Sequence, residues 1–293
     1  MKSKKQVLSQ LSFSDVIRKN KNKLSFILLL SLLIFSSCGT IYDFPEEIVV
    51  TNSNWKIVWE DNFNDSIDKR YWSKVERYSK TVKWNKYMSS HDTCYEVTDG
   101  ALILRGIVND FSNDTARYLT GGITTEKKKT ISYGKIEVRA KINKVEGAWP
   151  AIWMKSDERA WPIGGEIDIM ETFGFHNAIH QTIHSYYTLN IDKNTINYTA
   201  NDVRDKSEYN IYGVIINANE IIFHVNNRVT FIYKKMDPEI ENQYPFGDEK
   251  FLILSMQLDY KGYNSTYIEN TVPEMQIDWV RFYEKIDETI PDY

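Results

Sequence analysis

From Trp55 onward, apolar and polar positions alternate in short runs separated by turn residues. Residues 135–142 set Ile136, Val138, Ala140 and Ile142 against Lys135, Glu137, Arg139 and Lys141. A period of two predicts a strand with one buried face and one exposed face. Similar runs occupy 95–97, 101–104, 220–225, 251–254 and 275–282. Asp99-Gly100 and Asn226-Asn227 fall between runs as hairpin turns, since these residues tolerate the positive φ that two-residue hairpins need. No long stretch repeats at helical spacing, and there is no internal repeat. Many short strands at this spacing predict an all-β sandwich or barrel. One domain is expected over residues 53–287, followed by a short tail, 288–293.

The N-terminal segment has a different character. Residues 1–37 carry seven cations against Asp15 alone, a net of +6, so the remaining residues hold −10 of the chain's total of −4. A twelve-residue apolar run, Leu24 to Phe35, follows the basic stretch. Roughly 20 apolar residues are needed to span a membrane, against about 7–15 for a signal-peptide core. Residues 1–37 therefore read as a signal peptide. Ser36-Ser37-Cys38-Gly39 resembles a bacterial lipoprotein cleavage box, with Cys38 as the lipidated residue. Ordinary cleavage, with Cys38 lost or left as a free thiol, is the alternative. Lipidation implies a tether over 38–52, export, and anchoring at the outer membrane or cell surface. With Cys38 acylated, Cys94 has no partner and the domain folds without a disulfide.

Composition narrows the rest. A chain of 293 residues with 42% hydrophobic and 26% charged residues is globular rather than disordered. The mildly acidic balance gives no footprint for nucleic acid. Abundant Trp and Tyr suit stacking on sugar rings, although large β cores use the same residues.

The informative stretch runs from Gly164 to Phe173. In a regular strand, Glu166 and Asp168 share a face, while Ile167 and Ile169 point to the opposite layer. Glu171 lies an odd number of positions from Glu166, so an unbroken strand would bury an unpaired carboxylate in the core. One extra residue at Ile169-Met170, a β-bulge, returns Glu171 to the face of the other acids. A solvent-facing acidic strand shows the same bare E-x-D pattern. Here no Lys or Arg neutralises the row, two glycines precede it so that a ligand or backbone can approach, and aromatics flank it. Such a row suits retaining glycoside hydrolysis, which uses two carboxyl groups about 5–5.5 Å apart.

Glu166-Ile167-Asp168-Ile169-Met170-Glu171 resembles the bulged E-x-D-x-x-E signature of glycoside hydrolase family 16. The resemblance extends to Trp55–Phe63, to Tyr133–Arg139, to Gly147–Met154 and to Met275–Tyr283, in the family's order. It implies a jelly-roll β-sandwich of concanavalin A type with a concave cleft. It further implies internal cleavage of β-linked glucans or galactans with retention, without a required cofactor. By position Glu166 becomes the nucleophile, Asp168 the assisting acid and Glu171 the acid/base. Trp149 and Trp153, four apart on one strand, share a face, and the resemblance favours stacking on sugar rings over the alternative of two core tryptophans. It also places His184 near the acid/base and Gln257 among the substrate-binding residues, while Trp161, in the loop before Glu166, is expected to close one wall of the site. Asp278 matches a position that helps bind a structural calcium with backbone oxygens near Gly100, although Asn62 stands where relatives carry an acid. After Leu258 the usual paired glycines and Trp are missing, and Tyr260 and Tyr263 are expected to rebuild that cleft wall.

His176, His180 and His184 recur every four residues, but the surrounding pattern is a strand and H-E-x-x-H is absent, so zinc is not expected. His176 and His180 read as surface or loop residues, and His91 and His224 carry no signal. The resulting expectation is a monomeric endo-β-glycosidase acting on an oligo- or polysaccharide, either a mucin- or keratan-type β-galactan or a β-1,3-glucan. A transglycosylase using the same acids, a non-catalytic glycan-binding jelly roll and a structural surface protein are the competing readings.

Overall fold

Alternating polarity becomes extended chain almost everywhere. The computed structural model describes residues 42–43, 49–111, 114–193, 196–200, 205–258 and 271–286. The expected signal peptide, Cys38, Tyr260, Tyr263 and the tail 288–293 lie outside them. The first strands in chain order are β1 (Tyr42–Asp43), β2 (Trp55–Asp61), β3 (Ser73–Lys74), β4 (Tyr95–Thr98), β5 (Ala101–Val108) and β6 (Tyr118–Thr120). Next come β7 (Gly122–Thr124), β8 (Thr130–Ile131), β9 (Gly134–Ile142), β10 (Ala148–Ser156), β11 (Glu166–Glu171) and β12 (Ile179–His184). The series ends with β13 (Ile196–Ala200), β14 (Asn210–Ile216), β15 (Glu220–Val225), β16 (Arg228–Lys234), β17 (Lys250–Leu258) and β18 (Glu274–Lys285). Among the described residues, helix is limited to a 3₁₀ turn at Asp92–Cys94 and a π turn at Tyr187–Ile191.

The strands form two antiparallel sheets. The first runs β1-β16-β15-β14-β9-β18-β5-β4, with β2 also on β18 and β6 on β5. The second runs β13-β12-β11-β10-β17-β7-β3, with β8 also on β17. Both hairpin turns form as expected: Asp99 and Gly100 at φ 51° and 70°, Asn226 and Asn227 at φ 50° and 68°. Ile136, Val138, Val214, Phe223 and Val280 of the first sheet pack against Ile152, Met154, Ile167, Leu252 and Leu254 of the second in one buried cluster. This is the jelly-roll sandwich, and its second sheet is left with one face for a cleft. Cys94 is buried and free, and burial pushes its thiol up to about 11.

The outer face of the first sheet departs from the period-two expectation. Lys135 and Glu137, expected on an exposed face, are buried. The Lys135 Nζ donates to Glu137 Oε1 at 2.9 Å and also to Asn52 Oδ1, and the Tyr283 hydroxyl donates to Glu137 Oε2 at 2.6 Å. Pairing makes such burial tolerable. Part of the expected tether supplies the cover: β1 pairs with β16, and the Val50 N–H donates to the Asn227 carbonyl at 2.7 Å. Residues 42–43 and 49–52 are thus attached to the domain rather than free of it.

Candidate active site

The pairing of β11 with both neighbours locates the bulge. Toward β12, Glu166 faces His184 and Asp168 faces Thr182, yet Glu171 faces His180, three residues of β11 advancing against two of β12. Toward β10, Trp153 faces Asp168 while the adjacent Ile152 faces Met170. Ile169 is therefore the inserted residue. Ile169 and Met170 are consecutive, yet both are fully buried in the core, after which Glu171 emerges on the other side. Glu166, Asp168 and Glu171 consequently line one cleft of about 350 Å³, with Trp84, Trp149, Trp153, Phe173, Thr182, His184 and Gln257 around them.

Burial is the largest influence on all three and raises each carboxyl above its usual range; repulsion with Asp168 adds to the rise at Glu166 and Glu171. His184 opposes the rise at both Glu166 and Glu171, and Lys155 adds to this at Glu166. His184 Nε2 lies 3.2 Å from Asp168 Oδ2 and 3.7 Å from Glu166 Oε1. Glu171, pushed up to about 8, instead receives a hydrogen bond from the Trp149 indole N–H at 2.7 Å. Glu166, Asp168 and Glu171 are all pushed up to about 8 by burial, so the three carboxyls hold protons well above the usual carboxylate range.

The structure distributes the remaining expected site residues unevenly. Trp149 lies in the cleft, but its N–H is bound to Glu171, so it orients that carboxyl besides offering an apolar ring. Trp153 faces the cleft and is nearly buried, held by Ser255 Oγ at 3.1 Å and by an edge contact with Trp84 at 4.9 Å. Gln257 is on the floor; its amide N donates to Ser255 Oγ, and its Oε1 has no hydrogen-bond partner among the described residues. Thr182 Oγ1, on the same floor, is likewise unpartnered. Both atoms are buried beneath the cleft surface.

Three expectations need correction. His184 stands opposite Glu166 rather than near the acid/base, and His180 is the residue across from Glu171. His180 is accordingly a half-buried strand residue, its ring 5.0 Å from Phe173. Trp161 is half exposed in the loop before β11 and does not line the acid cleft. Of the two approaches that Gly164 and Gly165 were expected to allow, by a ligand or by backbone, the structure shows close packing by the protein itself. A Cβ on Gly165 would come within 2.6 Å of Phe246, and one on Gly164 within 2.6 Å of the Arg159 carbonyl.

The calcium expectation meets an unsuitable donor set. The Asp278 carboxylate is bound to the Arg139 guanidinium, and Gly100 makes the tight β4–β5 turn. Calcium needs several free oxygens, and one of the two on Asp278 is already taken by Arg139. His224, without a sequence signal, is fully buried beside Glu137, and burial depresses its pKa to about 4. Trp84, Phe173 and Lys155 were not anticipated. Lys155 could have been found by continuing the alternation Trp149, Ala151, Trp153 along β10.

The bond from Trp149 gives a direct expectation. An N–H donor stabilises the ionised carboxylate, so Trp149→Phe raises the Glu171 pKa further. The alkaline limb of the kcat/KM profile should move to higher pH, with kcat falling about tenfold from lost orientation. An unmoved alkaline limb would show that the indole N–H does not act on Glu171.

The profile of glycosyl hydrolases family 16 matches residues 71–281. A keratan-sulfate endo-1,4-β-galactosidase from Sphingobacterium multivorum is 34% identical over 80% of this chain and 56% of its own length. A glucan endo-1,3-β-glucosidase A1 from Niallia circulans is 26% identical over 82% of this chain and 39% of its own length. The chain thus spans little more than half the length of the first relative and less than half of the second. The catalytic domain of an endo-1,3-β-glucanase (laminarinase) from Thermotoga petrophila superposes with a TM-score of 0.70 at 28% identity, covering 80% of this chain and 99% of that one. With the bulged acidic strand, the jelly-roll sandwich and a profile match over most of the domain, this chain belongs to glycosyl hydrolases family 16.

Proposed function

We propose that this protein is a retaining endo-β-glycosidase acting on a β-galactan of keratan or mucin type. The bulge carries the chemical part of the reading, because it brings Glu171 to the cleft beside Glu166 and Asp168. Ionised Glu166 attacks the anomeric carbon as Glu171 gives its proton to the leaving glycosidic oxygen. The C–O bond breaks and a glycosyl ester forms on Glu166. Glu171, now a carboxylate, takes a proton from water, which attacks the same carbon and frees Glu166. Asp168 supports the row from its middle, linked to His184. Where a sugar hydroxyl displaces water in the second step, the same machinery performs transglycosylation.

The galactan preference is supported by the higher identity to the keratan-sulfate galactosidase, 34%, than to the glucan endo-1,3-β-glucosidase, 26%. A β-1,3-glucanase is the second reading, favoured by the likeness to the Thermotoga petrophila laminarinase. A product screen on keratan, mucin glycans, agarose, laminarin and mixed-linkage glucan separates them. Oligosaccharides from keratan or mucin are expected. Release from laminarin with none from any galactan would replace the first reading by the second.

We also read residues 1–37 as an export signal and Cys38 as a lipid anchor, which would hold the enzyme at the cell surface. Support comes from the basic stretch, the twelve-residue apolar run and the small residues before Cys38.

A further inference from the structure

The chain beyond residue 37 is acidic, yet residues 74–86 carry Lys74, Arg77, Lys80, Lys83 and Lys86 against Glu76 alone. This segment contributes to one wall of the cleft. Beyond Trp84 the catalytic cleft continues into a space of about 650 Å³, whose floor is Phe251 and Ile253 and whose rim includes Tyr78, Lys127 and Lys155. Trp84 lines both parts, packed edge-on against Trp153 at 4.9 Å and against Tyr78 at 5.7 Å. The loop bearing it is fixed from within: Asn85 Oδ1 accepts from the N–H groups of Tyr78 and Ser79, and its amide donates to the Glu76 carbonyl at 2.9 Å. A rigid, aromatic extension next to the acids suits further sugar units of a polymer.

Its cations divide by commitment. Lys74 is bound to Asp92 at 2.6 Å, and Lys128 donates to the carbonyls of Lys69 and Trp72, both at 2.7 Å. Lys127 and Lys155 have no ion pair or hydrogen bond among the described residues; the Lys155 Nζ lies 6.0 Å from the Trp153 ring centroid and also acts on Glu166. Lys155 pairs in register with Glu166 on one side and Phe251 on the other, so it projects beside the catalytic row. Glu76 and Glu126 also border the space, so the four lysines outnumber the acids there. Arg77, Lys80, Lys86 and Arg117 border a separate groove of about 230 Å³, where Arg77 is held by Asp114 at 2.8 Å. A basic segment in an otherwise acidic protein raises the local concentration of anionic polymer.

We infer that the extension is a subsite for an anionic sugar, with Lys127 and Lys155 pairing with a sulfate ester and Tyr78 and Trp84 supplying the apolar wall. The inference rests on the galactan reading above and specifies its substrate as a sulfated galactan. Lysine suits this task, since an ammonium group recognises an oxyanion as a point charge without fixed geometry.

Binding by a Glu166→Gln enzyme tests it without depending on turnover. Desialylated keratan sulfate and the same polymer after chemical desulfation are titrated by calorimetry at low and physiological salt. The sulfated polymer should bind about tenfold more tightly, with the gap narrowing as salt rises. Adding Lys127→Met and Lys155→Met should abolish the preference, whereas Lys→Arg at both positions should keep it. Equal affinity for the two polymers, or a preference that survives both Met substitutions, would overturn the subsite. A sialylated but desulfated polymer as a further arm distinguishes carboxylate from sulfate, and tighter binding of that polymer would overturn the assignment to sulfate. Failure of the wild-type enzyme to cleave either keratan, with the binding preference intact, would reject the galactanase reading and retain the anionic subsite.

Discussion

Glu166→Ala should abolish cleavage of the true substrate, with kcat falling on the order of 10⁴-fold or more, because no other group can form the glycosyl ester. The fold should survive, since Glu166 is on the cleft face and contributes nothing to the core cluster. Azide provides the positive control: a small anion occupying the vacated space should restore turnover of an aryl β-glycoside and yield the α-glycosyl azide. Retention of wild-type rate by this variant would end the assignment of Glu166. Recovery of a β-azide would exchange its role with that of Glu171.

Glu171→Gln should lower kcat by about 10²–10⁴-fold on polymer, the range associated with loss of general acid–base catalysis. The deficit should shrink on an aryl glycoside whose leaving group needs no proton. Burial pushes the Glu171 carboxyl up to about 8, so wild-type activity is expected to decline as pH rises through that value, and this limb should vanish in the variant. Stability moves the other way. A carboxyl raised in the folded state binds its proton more tightly there than in the unfolded chain, so ionisation favours unfolding. Its stabilising contribution is complete at pH 4 and is lost as pH rises through the folded value. Relative to wild type, Glu171→Gln should therefore raise Tm by a few degrees at pH 9 and leave it unchanged at pH 4. A lower Tm at pH 9 would contradict the raised carboxyl. The active site thus lowers the stability of the protein that carries it, as strained functional sites often do.

Much of this could be read in the sequence because parity is unforgiving in a strand. Glu171 lies five positions from Glu166 among residues of the apolar core, and a bulge is the one local change that spares it burial. What the sequence hid depended on partners far away in the chain. The alternation in β9 promised an exposed Lys135 and Glu137, but residues 49–52 and Tyr283 close over them. His184 was expected beside the acid/base, but register between β11 and β12 puts it opposite Glu166, a matter of pairing that spacing along one strand does not contain. The indole N–H of Trp149 reaches Glu171 through a side-chain orientation that period two leaves open. Trp84 sits in a loop, where no periodicity marks it, although the cations around it were visible throughout.

Following the anomeric form of the first product by proton NMR tests the central claim most directly. If the bulge sets Glu166 to attack and Glu171 to deliver and retrieve the proton, two displacements occur at one carbon. The β-anomer should then appear first and convert to α only by mutarotation. Initial appearance of the α-anomer would mean a single displacement by water, and would contradict the assignment of Glu166 as nucleophile.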